Sequence, residues 1–369
     1  MHSRSSVSLI VLTMMAGTSS VAADVIGAVS GVADPIMSSI TGDLNSRGYE
    51  FEYVPGDEVN IRYSFLSNSP GAIGLVEGYQ SVHFAVTALG LEYSEILDYA
   101  DQYEPNFGKL IQVPLAVSGV GVGFNNGDVS AQNPLTVTAD DVANIFSGQI
   151  TNWNQLGNYP SKQIMVVYSN VDSGMTKIAT RHLAYKAPHL FQENEDFMLA
   201  RIGTPSGSAL FLPVNGDQSV ISVMNNIDGA IAFVGPNYPG FNDQTKVARI
   251  INDYDGIGYL PSETRVEATI QGISVPSTSN IQDWSPIFPD PTLGYPMAGL
   301  VFILASQCYE DLDVGLEVQD LLFVIGLGDY DGIVSQNNMI PITQDWALGA
   351  LYEFSFHIND PDICQGLGR

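Results

Sequence analysis

Basic residues are scarce in this sequence. Its 369 residues include 13 Lys and Arg against 40 Asp and Glu, which gives a formal net charge of −27. Charged residues make up only 14%, so the imbalance comes from missing cations more than from added acid. Such a chain is a poor partner for nucleic acid, and anionic membranes repel it. The hydrophobic fraction of 45% is enough for a packed core, which excludes general disorder.

Cysteine is almost absent as well. The two cysteines, Cys308 and Cys364, both lie near the C-terminus and do not form a CxxC motif. This spacing argues against a metal site or a redox motif. In an oxidising compartment such a pair most simply forms a disulfide, and two free buried thiols are the alternative.

No stretch of the sequence reads as a transmembrane helix. Residues 7–17 form an apolar run that is too short for a bilayer, which needs ~20 residues. Small residues at 21–23 then match the pattern that a signal peptidase cleaves. We therefore predict a signal peptide over residues 1–23 and a periplasmic or secreted protein. A short membrane anchor is the alternative.

Short apolar runs alternate with helix-like segments along the chain. Residues 59–65, 163–168 and 299–305 are predicted as strands, and residues 110–124 as two strands or one long crossing. A helix is predicted to begin after Thr138, with a capping box, and to end at Gly148. This alternation favours an α/β fold.

One turn suggests an anion site. A predicted strand ends near Ser169, and Ser173-Gly174 then begins a helical segment. The N-terminus of a helix offers unpaired backbone N–H groups that attract anions. The alternative is an ordinary capped helix start, with Asp172 as the N-cap.

The chain resembles the periplasmic phosphate-binding proteins of ABC transporters, and most closely their secreted DING-type relatives. The matching segments are residues 24–27, 104–114, 146–150, 245–249, 307–309 and 364–369. The resemblance implies a two-lobed fold of the type 2 periplasmic binding class, each lobe a mixed sheet flanked by helices. Lobe I would comprise residues 24–114 and 296–369, lobe II residues 115–295, with the ligand in the cleft between them. The resemblance also supports a disulfide between Cys308 and Cys364 and implies a transporter permease as a partner.

The charged ligand residues of that family are missing here. Its first ligand Thr aligns with Ala33, its Asp with Ala88 and its Arg with Ser169. The sequence from Lys162 to Lys177 contains no further Lys or Arg, so a shifted alignment restores no clamp there. The ligand candidates that remain are Ser169, Ser173, Gly174, Thr176, Asn68, Ser69 and Thr87. Among basic residues elsewhere, Arg62, Lys109 and Arg201 are available, but the sequence places none of them at the site.

These losses weaken the predicted oxyanion site. Charge-assisted hydrogen bonds contribute ~1.5–3 kcal/mol each, so losing the Arg clamp costs roughly tenfold to a hundredfold in affinity. We therefore predict a solute-binding protein that binds phosphate weakly or takes another small polar ligand. The alternative is an extracellular structural or surface-interaction protein, with self-association, that kept the fold and lost the ligand.

The sequence contains few motifs that indicate catalysis or cofactor binding. The histidines outside the predicted signal peptide show no metal-ligand spacing, and Ser173 lacks the Gly-x-Ser-x-Gly motif of a nucleophile elbow. The sequence therefore predicts neither an enzyme nor a cofactor nor a metal site.

Overall fold

The computed structural model describes residues 25–75, 81–265, 289–350 and 357–369. The predicted signal peptide lies outside these residues. The helices are α1 (Asp34–Ser46), α2 (Glu58–Leu66), α3 (Tyr93–Gln102), α4 (Glu104–Phe107), α5 (Ala139–Ser147), α6 (Gly174–Lys186), α7 (Phe197–Ala200), α8 (Asp217–Asn226), α9 (Leu312–Gly326), α10 (Asp331–Gln336) and α11 (Gln344–Ala350). The strands are β1 (Val25–Ser30), β2 (Phe51–Gly56), β3 (Phe84–Thr87), β4 (Leu110–Gly119), β5 (Gly121–Asn125), β6 (Thr136–Val137), β7 (Met165–Ser169), β8 (Leu210–Val214), β9 (Ala230–Val234), β10 (Arg249–Ile251), β11 (Gly258–Tyr259), β12 (Ala298–Ser306) and β13 (Ile340–Pro341).

A six-stranded mixed sheet has the order β13-β4-β12-β3-β1-β2. β1 is parallel to β2 and β3, whereas β12 is antiparallel to β3 and β4. The central strands β1, β3, β4 and β12 are buried along their whole length. Their continuous apolar sequences are typical of strands covered on both faces.

A four-stranded mixed sheet has the order β5-β9-β7-β8, and a three-stranded sheet the order β11-β10-β6. The chain passes from the six-stranded to the four-stranded sheet between Gly119 and Gly121, and re-enters the first sheet at Ala298. β4 thus continues past residue 114, where the sequence predicts the end of the first segment of lobe I. The lobe boundaries themselves stay a prediction.

Most of the predicted elements are confirmed. α5 begins after Thr138, whose hydroxyl accepts the N–H of Asp141, and ends at Gly148 with a φ of 81°. Residues 110–124 form two strands, β4 and β5. The pairing of Cys308 with Cys364 is also confirmed, with their Cα atoms 5.4 Å apart.

The predicted strand at residues 59–65 is wrong, because these residues form α2. Asp57 caps this helix by accepting the N–H of Asn60. Ile61 and Phe65, four residues apart, are buried on one face of the helix. The local alternation of apolar and polar residues fits a strand equally well, so the cap decides the outcome.

Within the part of the chain that the structure describes, no helix combines the length and the apolar character needed to cross a bilayer.

Candidate functional site

A cavity of about 510 Å³ lies where two pairs of parallel strands end, one pair in each of two sheets. β1 and β2 end side by side at Ser30 and Gly56, and β7 and β8 end side by side at Ser169 and Val214. Ligands of open α/β folds bind outside the carboxyl ends of such strands. The cavity is lined by Gly31, Asp34, Pro35, Pro55, Gly56 and Asp57 beside the six-stranded sheet, and by Ser169, Val171, Asp172, Met175, Asn215, Gly216, Asp217, Gln218 and Asn237 beside the four-stranded sheet.

The lining of this cavity is acidic. It contains Asp34, Asp57, Asp172 and Asp217, and among the described residues that line it there is no Lys, Arg or His. Burial raises the pKa of Asp217 to about 6, although the hydroxyl of Ser173 opposes the rise. Burial also raises the pKa of Asp172. The electrostatics of the cavity therefore oppose the entry of an anion.

Ser169 and Ser173 both reach the cavity region, but their hydroxyls have partners within the chain. Ser169 Oγ donates to the carbonyl oxygen of Val171 at 2.8 Å. Ser173 caps α6 by accepting the N–H of Thr176, and its Oγ donates to Asp217 Oδ2 at 3.0 Å. These two candidates are therefore held in place by internal hydrogen bonds.

Gly174 lies where the start of α6 packs closely against residues beside the six-stranded sheet. A Cβ on Gly174 would come within 2.6 Å of Ala88 Cβ and 2.9 Å of Glu58 Oε1, so only glycine fits without movement. Thr176 is buried in the first turn of α6. Thr87 precedes Ala88, and its hydroxyl donates to a backbone carbonyl two residues on.

The structure does not bring Asn68 and Ser69 to the cavity. They follow the C-terminus of α2, whereas the N-terminus of that helix faces the cavity through Asp57. The amide of Asn68 bonds with Ser81 Oγ and the N–H of Val82, which ties the loop to the chain before β3. The residues directly after β2 are Asp57 and Glu58.

Glu58 is a residue that the sequence analysis missed. Its side chain is buried, with 3% exposed, and Oε1 accepts the N–H of Ala88 at 2.8 Å. Burial raises the pKa of Glu58 from 4.5 to about 7, while Arg62 and the N–H of Ala88 lower it. The sequence Gly-Asp-Glu at residues 56–58, a strand end followed by an N-cap, is the signal that could have located it.

The raised pKa of Glu58 predicts a pH-dependent stability. Since the unfolded chain releases this proton near pH 4.5 and the folded chain near pH 7, the free energy of unfolding falls as the pH rises through that interval. The loss amounts to about 3 kcal/mol for this group alone. We expect urea unfolding at pH 5 and pH 8 to show this fall in the wild type and a smaller fall in Glu58→Gln. An equal fall in the free energy of unfolding in both proteins would contradict the raised pKa of Glu58.

A network of four ion pairs connects α2 and the start of α3, beside the six-stranded sheet, to the region of α6. Arg62 on α2 donates to Glu95 at 2.9 Å and to Glu195 at 2.8 Å. Lys177 on α6 pairs with Glu195 at 3.1 Å and with Glu92. Arg62, the basic residue available near the site, is therefore already bound by carboxylates.

Among the described residues, no group of three or more His, Cys, Asp or Glu side chains is arranged to hold a metal ion.

Comparison with known proteins yields a family and several relatives. A family model described as a PBP superfamily domain matches residues 16–295. The chain is 27% identical over 334 residues to alkaline phosphatase L of Pseudomonas aeruginosa, covering 86% of this chain and 87% of that protein. It is also 27% identical over 377 residues to a phosphate-binding protein of an unknown prokaryotic organism, covering 92% and 98%.

The chain is also similar to solved structures of phosphate-binding proteins. A high-affinity periplasmic phosphate-binding protein, PfluDING, solved with bound phosphate, is 26% identical and superposes with a TM-score of 0.83, covering 94% of this chain and 99% of that chain. A phosphate-binding protein of Stenotrophomonas maltophilia is 25% identical with a TM-score of 0.82, covering 94% and 100%.

Proposed function

The chain belongs to the PBP superfamily, and on that basis we propose that it is a non-catalytic solute-binding protein of the periplasm or the cell exterior. Its fold is the mixed α/β fold of type 2 periplasmic binding proteins, as the sequence predicted. In our proposal, the cavity at the strand ends binds phosphate weakly or holds another small polar ligand in its place.

One observation carries this proposal: four aspartates line the cavity, with no cation among its described lining residues. Desolvating a doubly charged oxyanion is costly unless its oxygens are hydrogen-bonded and its charge is balanced. The position of the family's Arg is taken by Ser169, whose hydroxyl already bonds to the backbone of Val171. The lining therefore favours a ligand that is neutral or positively charged and offers hydrogen-bond donors.

A second candidate function is a structural or surface-interaction role without ligand binding. It is favoured by the internal hydrogen bonds of Thr87, Ser169 and Ser173, which leave these hydroxyls already paired. A transporter permease would be a partner under the first function, and self-association is expected under the second.

Calorimetric titration of the wild type distinguishes these functions. We expect phosphate and sulfate to bind more weakly than micromolar, and a small amine or a polyhydroxylated solute to bind more tightly than either. Micromolar phosphate binding would contradict the proposed site, and no binding by any solute would favour the structural role. Turnover of a chromogenic phosphate ester would contradict the non-catalytic assignment.

A matched pair of variants tests the acidic lining. Asp172→Asn removes one negative charge from the cavity, and Asp98→Asn removes one from the exposed face of α3. If the lining selects the ligand, only Asp172→Asn changes the affinity for an amine.

A further inference from the structure

Several features converge on the carboxyl group of Glu58. The N-terminus of α6, a helix of 13 residues, begins at Gly174, directly against Glu58 Oε1. The same oxygen accepts the N–H of Ala88, which follows the end of β3. The N-terminus of a helix and a backbone N–H outside the helix, both directed at one atom, together attract negative charge.

The second oxygen of this carboxyl group faces a cation. Glu58 Oε2 lies 3.9 Å from Arg62 Nη1, and neither atom has a hydrogen-bond partner among the described residues, although both are buried. The hydroxyl of Ser30 is also buried and has no hydrogen-bond partner among the described residues, and it contributes to lowering the pKa of Glu58. An amide, a helix N-terminus, a hydroxyl and a guanidinium thus surround one carboxyl group.

We infer that Glu58, in its ionised form, is an internal anion that fills an anion-binding cradle made by Ala88, Ser30, Arg62 and the N-terminus of α6. The binding measurements belong at pH 8, where this carboxyl group is mostly ionised. The cradle would otherwise accept a small oxyanion, either a carboxylate or phosphate. The side chain is covalently attached to the chain at this position. A free anion could bind only by displacing it, which costs free energy, and the free anion is therefore excluded. This inference rests on the proposed function and adds Glu58 to the cavity aspartates as a second cause of selectivity against phosphate.

Removal of the side chain tests the inference. In Glu58→Ala the cradle is vacated, and we expect formate, acetate or phosphate to bind at least about tenfold more tightly than to the wild type, measured by calorimetry and thermal shift. Glu58→Gln fills the space without charge and is expected to gain no such affinity. Asp98→Ala, which matches the change in net charge at an exposed site, should behave as the wild type.

A folded Glu58→Ala protein without increased anion affinity would overturn the inference. Should that variant fail to fold, the isosteric Glu58→Gln provides a second measurement. Loss of the charge-assisted bond is expected to move the amide proton resonance of Ala88 upfield, and an unchanged resonance would also overturn the inference. The wild-type phosphate titration tests the proposed function, whereas the ratio between variant and wild type tests the role of Glu58, so the two can fail separately.

Discussion

Replacement of Arg62 by methionine is expected to lower the free energy of unfolding by about 3–5 kcal/mol, because it breaks a buried ion-pair network. Glu58 and Glu95 lose their cation, and Glu195 keeps only Lys177. The Arg62 side chain is 7% exposed and bonds to Glu95 and Glu195, with Glu58 at 3.9 Å. Methionine preserves much of the side-chain volume. The fall in the free energy of unfolding therefore reflects the lost charge more than a new cavity. Urea unfolding at neutral pH measures the difference.

The matched control is Arg47→Met. Arg47 pairs with Asp43 on the surface of α1, where the two side chains are 50% and 38% exposed. Exposed pairs contribute ~0–1 kcal/mol, so this variant should remain close to the wild type. Similar losses in the two variants would contradict the special role given to the buried network. Since Arg62 and Glu195 join the two sheet regions, we also expect Arg62→Met to increase the radius of gyration.

Loss of the disulfide is expected to cost about 4 kcal/mol in the double variant Cys308→Ala, Cys364→Ala. The bridge closes a loop of 56 residues, and the constraint it places on the unfolded chain grows with loop length. It also anchors the C-terminal segment, in which Arg369 Nη1 donates to the carbonyl oxygens of Phe65 and Val82 at 2.8 and 2.7 Å. Urea unfolding of the variant and of the oxidised wild type gives the difference.

Reduction provides the control for this prediction. The chain has two cysteines, so a reductant should lower the stability of the wild type to that of the double variant and leave the variant unchanged. A difference below about 1 kcal/mol between the oxidised wild type and the variant would show that the bridge contributes little.

Local patterns were sufficient for much of the fold. The capping box at Thr138 and the glycine at 148 fixed both ends of α5, because a cap is formed by residues within a few positions of one another. The continuous apolar run of β12 is typical of a central strand, and it pairs on both edges. The strand prediction for residues 59–65 was wrong because the alternation of apolar and polar residues there fits the period of a strand and that of a helix. The burial of one face selects the helix.

The candidate site was predicted less completely. Ser169 lines the cavity, and Ser173 contacts it through Asp217, whereas Asn68 lies at the far end of α2. That these residues bind a ligand stays a prediction. The residue that was missed, Glu58, directly precedes the segment that was predicted as a strand and is the first residue of α2. An error in secondary structure thus became an error in the site.

The sequence by itself determined the acidic charge, the α/β alternation, the cysteine pair and the family resemblance, because each depends on composition or on residues close together in the chain. Only the tertiary structure decided which groups far apart in the sequence meet. Glu58 meets Ala88 across 30 positions, and Arg62 meets Glu195 across 133. Contacts at such separations depend on how the sheets pack, and packing is a property of the whole chain.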